Sequence, residues 1–261
     1  MNRIIGQNLS QTITEIEEKV TQFSLTPIST NGGWYDYSEP MTANLSIVLN
    51  GGYYLYYLSV DNTNVDLRNV FSVGDKIRLL QADSPDYKYF YCYGVHADKI
   101  AIDAGLDYTP TIGSAITLLS KGIMKNPTGF PGKFKFLSII FGNTGTYSNP
   151  DPANNEQLYF SVKGNSVILN ISIKNGAVDF DTFILLWPPL LGDTVAVSKG
   201  LSVVHNAALG WFETNFLGGL LVVIKLYGNN TTPPYNFLAG AGNTEVACTV
   251  IYKLLDPFTV S

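Results

Sequence analysis

Two histidines, two cysteines and three close pairs of aspartates are the residues with the most chemical reach in this chain. Hydrolysis by a side-chain nucleophile needs a base within hydrogen-bond reach, itself oriented by a third group. His96 follows a tyrosine-rich run with Asp98 two residues on, and His205 precedes Asn206. Neither stands in a Gly-x-Ser-x-Gly elbow or a His-Glu-x-x-His pattern, the spacings that present a nucleophile or a zinc ligand pair. Glycoside cleavage needs two carboxylates flanking one bond. Asp83 and Asp86, Asp103 and Asp107, and Asp179 and Asp181 pair by proximity alone, and each pair sits where Asp is an ordinary turn residue. The loop from Asp61 to Asp66 has acidic ends, but Thr63 and Val65 stand where an EF-hand loop needs oxygen ligands of the Asp or Asn type. Cys92 and Cys248 lie far apart in strand-like runs and read as buried free thiols rather than a disulfide or zinc pair. The expectation is no enzyme, no metal and no cofactor.

Aromatic and amide side chains carry the better binding signal. Trp211 and Phe212, then Tyr235 and Phe237, flank Asn229, Asn230 and Thr231 in the last quarter of the chain. Such a surface suits a sugar or a protein partner, although Tyr and Trp serve subunit contacts equally well. Net charge is −5, which argues against nucleic acid, whose phosphates call for a basic footprint. The longest apolar runs, Thr182 to Leu191 and Phe216 to Tyr227, are broken by Pro188, Pro189, Gly218, Gly219 and Lys225, so no membrane insertion is expected. Met1 is followed by polar residues, so no secretory leader is expected either.

These residues must be positioned by a mainly β chain. Only 14% of residues are charged, against roughly 25% in an ordinary soluble domain, while Tyr numbers 16 and Gly 24. Residues 4–25 alone read as helix. Leu9, Ile13, Ile16, Val20 and Phe23 repeat at spacings of 4, 3, 4 and 3, the rhythm of a coiled-coil seam. Ile at the core positions points to trimers or tetramers rather than dimers. Pro27 ends the helix. The expected organisation is an oligomerisation helix over 1–26, a connector over 27–40 and a small β-barrel or roll over 41–122. A Pro/Gly hinge over 123–132 and an antiparallel β-sandwich of jelly-roll type over 133–261 complete it. Asn50-Gly51-Gly52 and Gly164-Asn165 are hairpin turn signals. The aromatic run from Tyr87 to Val95 predicts a strand covered on both faces.

Four phrases stand out along this chain: Gly74-Asp75-Lys76-Ile77-Arg78-Leu79, Lys88-Tyr89-Phe90-Tyr91, Gly105-Leu106-Asp107-Tyr108-Thr109 and Asn126-Pro127-Thr128-Gly129-Phe130-Pro131. Their series resembles a β-domain found in tail-fibre-like and other virion structural proteins of bacteriophages, and Trp34-Tyr35 ahead of it fits as well. The insertion Ala82-Asp83-Ser84-Pro85-Asp86 departs from that pattern. The resemblance implies a non-enzymatic homotrimeric fibre or decoration protein on head or tail, assembled into virions in the host cytoplasm and contacting other virion proteins. The alternative is a receptor-binding protein whose C-terminal sandwich binds a host surface glycan or protein.

Replacing Ile13 and Ile16 together by Glu is expected to dissociate the oligomer. Burial of each such side chain contributes about 1.5–3 kcal/mol per chain. Light scattering checks this, and an oligomer that survives both charges removes the coiled coil.

Overall fold

A computed structural model describes residues 31–49, 53–60, 64–136, 140–142, 145–147, 157–175, 183–186, 192–194, 199–205, 208–217, 221–228, 244–254 and 258. The helix expected over 4–25, with Leu9, Ile13, Ile16, Val20 and Phe23, lies outside them. The described chain is mainly β, with antiparallel sheets and one short 3-10 turn, Leu67–Asn69. No helix among the described residues is long and apolar enough to cross a membrane.

The first sheet contains β1 (Trp34–Tyr37), β2 (Met41–Leu49), β3 (Tyr53–Val60), β4 (Lys76–Gln81), β5 (Lys88–Val95), β6 (Lys99–Asp103) and β7 (Ile116–Gly122). They lie in the order β1-β7-β4-β5-β6-β3-β2. A bridge between Thr42 and Ala115 sets edge strand β2 against the residue that precedes β7, so the sheet curls towards its opposite side. β1 falls inside the stretch expected as a connector. Its polar residues read as loop, but Trp34 is fully buried and the strand pairs with β7 from Trp34↔Gly122 to Tyr37↔Leu119.

The second sheet contains β8 (Phe134–Lys135), β11 (Gln157–Lys163), β12 (Ser166–Asn175), β13 (Phe183–Leu186), β14 (Gly192–Thr194), β15 (Lys199–His205), β16 (Ala208–Leu217), β17 (Leu221–Gly228) and β18 (Thr244–Leu254). Eight of these run β13-β17-β16-β15-β18-β12-β11-β8, with β14 also on β18. β9 (Ile140–Gly142) and β10 (Gly145–Tyr147) form a separate hairpin. β8 ends at Lys135, and β9 begins at Ile140.

β5 explains why the two sheets meet. Phe90, Tyr91, Cys92 and Tyr93 are successive strand residues, so they alternate between faces, and all four are buried. Both faces of the strand are therefore covered. On β11, β12 and β18 only alternate residues are buried: Leu158, Phe160 and Val162, then Val167, Leu169 and Ile171, then Cys248, Val250, Tyr252 and Leu254. That face joins the first sheet in one continuous apolar cluster.

Glycines let the backbones approach. A Cβ on Gly74 would lie 2.2 Å from the Gly164 carbonyl oxygen, so the turn before β4 sits directly on the β11–β12 hairpin turn. A Cβ on Gly105 would lie 1.9 Å from the Lys135 carbonyl oxygen, which accepts from the Leu106 N–H at 2.9 Å. Gly105 also has a φ of +58°, a left-handed conformation that costs an L residue about 1–2 kcal/mol. Gly113 has a φ of +80° but open space around it.

The pair separates the two effects. Gly113→Ala should lose about 1–2 kcal/mol of stability from backbone strain alone, whereas Gly105→Ala should lose about 1–3 kcal/mol more from the clash. The difference in urea unfolding midpoints measures it, and equal losses would show that the sheets do not meet at Gly105.

Candidate functional site

The densest arrangement of polar and aromatic groups lies along the seam between the sheets. Tyr91, Phe130 and Phe134 pack mutually edge to face, with ring centroids 5.1, 5.4 and 5.6 Å apart. Such pairs add about 0.5–1.5 kcal/mol each beyond burial. Tyr89, Tyr108, Trp34 and Phe160 extend the cluster. The Tyr91 hydroxyl donates to the Gly132 carbonyl at 2.8 Å, and burial pushes this phenol up to about 12.

Strand β1 is held by a cation between rings. The buried Arg78 guanidinium lies 4.9 Å from the Trp34 ring and 4.5 Å from the Tyr87 ring. Its Nε donates to Ser120 Oγ at 3.1 Å, and Ser120 donates to Asp36 at 2.6 Å. The Trp34 indole donates to the Thr128 carbonyl at 2.8 Å, and Thr128 N–H donates to the Gly32 carbonyl at 2.8 Å. Residues 123–132, expected as a hinge, are thus stitched to β1 by these bonds and to β5 through Phe130.

The residues weighed for chemistry in the sequence make structural hydrogen bonds and ion pairs at Asp66, Asp83, Asp98 and Asp107. Asp66 caps the 3-10 turn, accepting from Arg68 N at 3.0 Å and pairing with its guanidinium at 2.7 Å, which lowers its pKa. Asp83 accepts from Ser114 at 2.6 Å, and hydrogen bonds from Ser114 and Thr111 lower its pKa. Asp98 accepts from His96 Nδ1 at 2.5 Å, and this bond lowers the carboxyl; the imidazole ring packs against Phe258 at 5.7 Å. Asp107 accepts from Lys135 N at 2.7 Å across the seam. Among the described residues no group of three His, Cys, Asp or Glu side chains could hold a metal. Cys92 and Cys248 are free and buried, and burial lifts Cys248 to about 12. Asp61, Asp179 and Asp181, and Asn229, Asn230, Tyr235 and Phe237 of the aromatic-amide surface, lie outside the described residues. Trp211 and Phe212 lie within β16, at positions paired with Tyr227 and Leu226.

Reading the sequence missed a groove on the second sheet, on the face away from the seam. It has a volume of about 420 Å³ and is lined by Lys133, Tyr159, Asn170, Ser172, Ala247 and Thr249, among others. Tyr159, Asn170 and Thr249 stand opposite one another across β11, β12 and β18, and Ser172 faces Ala247 on the next rung. The short side chains of that rung leave the depression. The alternation of β12 carried part of the signal, because it assigns Asn170 and Ser172 to the face opposite Leu169 and Ile171.

Asp103 differs from the other carboxylates. It is buried at the end of β6, and loss of hydration raises its pKa from 3.8 to about 7, partly opposed by N–H bonds from Gly105 and Ala104. The folded state holds this proton more tightly than the unfolded chain does. Its contribution to stability is therefore full below about pH 3.8, declines as pH rises towards 7 and is then lost. Asp83 and Asp98 work the other way, stabilising above 3.8 and failing as pH falls below it. Asp103→Asn should abolish the decline between pH 4 and 7 and stabilise the protein at pH 8 by on the order of a few kcal/mol. Urea titrations across that range check it; an unchanged pH profile would show that Asp103 is charged in the fold. No protein-family model, no curated protein and no solved structure matches the chain.

Proposed function

We propose that the chain is a non-enzymatic virion structural protein of a bacteriophage, a homotrimeric fibre or decoration protein. The observation that carries this reading is the use made of the residues behind the phage resemblance. Gly74 and Gly105 allow backbone contact between the sheets, and Asp75 pairs with Lys121 at 2.8 Å. Asp107 binds the β8 backbone. Arg78, Tyr89, Tyr91 and Phe130 build the aromatic seam. A block that uses Gly74, Gly105, Arg78, Tyr91 and Phe130 to hold two sheets together suits a structural support rather than a reaction centre.

Assembly has its own support. Ile123 and Met124 are 49% and 56% exposed beside Gly32 and Gly33, where the described chain begins. Exposed apolar side chains at that position, on a chain with so few charges, suit neighbouring copies grouped about residues 1–30. In this reading residues 4–25 form the coiled coil through Leu9, Ile13, Ile16, Val20 and Phe23. The curled first sheet is a small barrel, and the remainder is a jelly-roll-type sandwich. The partners are the chain itself and other virion proteins.

Native mass spectrometry of the purified chain should show a species of three times 28.6 kDa. Antibody against the protein should decorate phage particles under the electron microscope. A monomer throughout, with label only on free protein, would overturn the proposal.

A further inference from the structure

We infer that the groove on β11, β12 and β18 is a binding site for a saccharide that carries a carboxylate. This takes up the receptor-binding alternative, but with residues other than the aromatic-amide group of the last quarter, and it stands apart from virion location. The argument is one of donors and acceptors. Thr249 Oγ1 donates to Asn170 Oδ1 at 3.2 Å, which occupies the amide's acceptor and leaves its N–H groups for the groove. Lys133 Nζ lies 4.0 Å from the centre of the Tyr159 ring. Stacking holds the ammonium in place without using any of its N–H donors. The described lining thus offers a positive charge, an amide donor pair and no carboxylate. Its complement is negative and rich in acceptors.

The groove also selects among anions. Its lining includes the hydroxyl-bearing Thr249, Ser172 and Tyr159 beside the small Ala247, which suit a polyhydroxylated ring. A volume of about 420 Å³ lies in the range of small-ligand sites. An extended acidic peptide would bind along a free sheet edge. Here the central strand β12 is paired with β11 on one side and β18 on the other, so its own edge hydrogen bonds are already made beneath the groove. The acid group is assigned to Lys133 and the Asn170 amide, and the ring hydroxyls to Ser172 and Thr249.

Saturation-transfer NMR with the full chain tests this, using sialyllactose beside lactose and trigalacturonate beside its methyl ester. At least one acidic sugar should bind, with its neutral counterpart roughly tenfold weaker. Lys133→Met and Asn170→Asp should each weaken that binding by about tenfold with the unfolding midpoint unchanged. No transfer to either acid at millimolar concentration, equal binding of the neutral sugars, variants that bind as well as the parent, or equal affinity for a polyglutamate peptide would each overturn the assignment. A chain that binds acidic sugar yet never decorates particles would retain this site and lose the virion reading, and the reverse result would do the opposite.

Discussion

The structure depends on one constraint: β5 has large apolar side chains on both of its faces. Phe90, Tyr91, Cys92 and Tyr93 are each no more than 1% exposed. A sheet whose outer face met water would leave one alternate set of these unburied, at about 1.5–3 kcal/mol for each large side chain. The first sheet therefore needs a cover, and Phe134, Phe136, Leu158 and Phe160 supply it. The two sheets are halves of one core at this point.

Close contact imposes further conditions. Aromatic rings meeting edge to face bring the loops between strands into backbone contact, and any Cβ at Gly74 or Gly105 would stand in the way. Polar groups stranded in the seam must find partners there. Asp107 takes the β8 N–H, the Gly132 carbonyl takes the Tyr91 hydroxyl, and the Asn165 carbonyl takes the Leu254 N–H at 2.7 Å. Among the described residues, the buried hydroxyls of Tyr37 and Tyr93 are the exceptions, with no hydrogen-bond partner. Each tolerates a loss of about 1–3 kcal/mol, which the burial of its ring offsets.

What could be read in the sequence was whatever local pattern decides. β3 begins directly after the Asn50-Gly51-Gly52 turn signal, and the aromatic run from Tyr87 to Val95 contains β5 with both faces buried, since such runs between turn signals leave little choice. The alternation from Val167 to Ile171 assigned the buried face of β12, and Gly164-Asn165 assigned its turn. Long-range contacts left no such trace. β1 is a strand because Trp34 reaches a carbonyl 94 residues away and stacks on Arg78. Nothing in Trp-Tyr-Asp-Tyr announces either partner. The groove was hidden for the same reason, because Lys133 acquires its meaning only from a ring on another strand. Trp211 and Phe212 are conspicuous in the sequence by residue type, whereas Lys133 and Asn170 are not.

The placement of charge ties packing to assembly. With 14% charged residues in the chain, each covered ion pair within the first sheet removes one from the surface. Lys121 and Asp75 are both mostly covered, and Arg78 is buried with its Asp36 partner at the margin. The outer surface is left with Tyr35, Leu106, Ile112, Ile123 and Met124 exposed on the first half. Apolar groups scattered singly need no cover, but Ile123 and Met124 are adjacent to each other and bonded to the segment that leads from residue 30. Among the described residues Arg78 and Asp103 are the buried charged side chains, and the apolar outer positions stand out because charges are scarce in the chain as a whole. On the proposed reading, neighbouring copies of the same chain would cover the adjacent Ile123 and Met124.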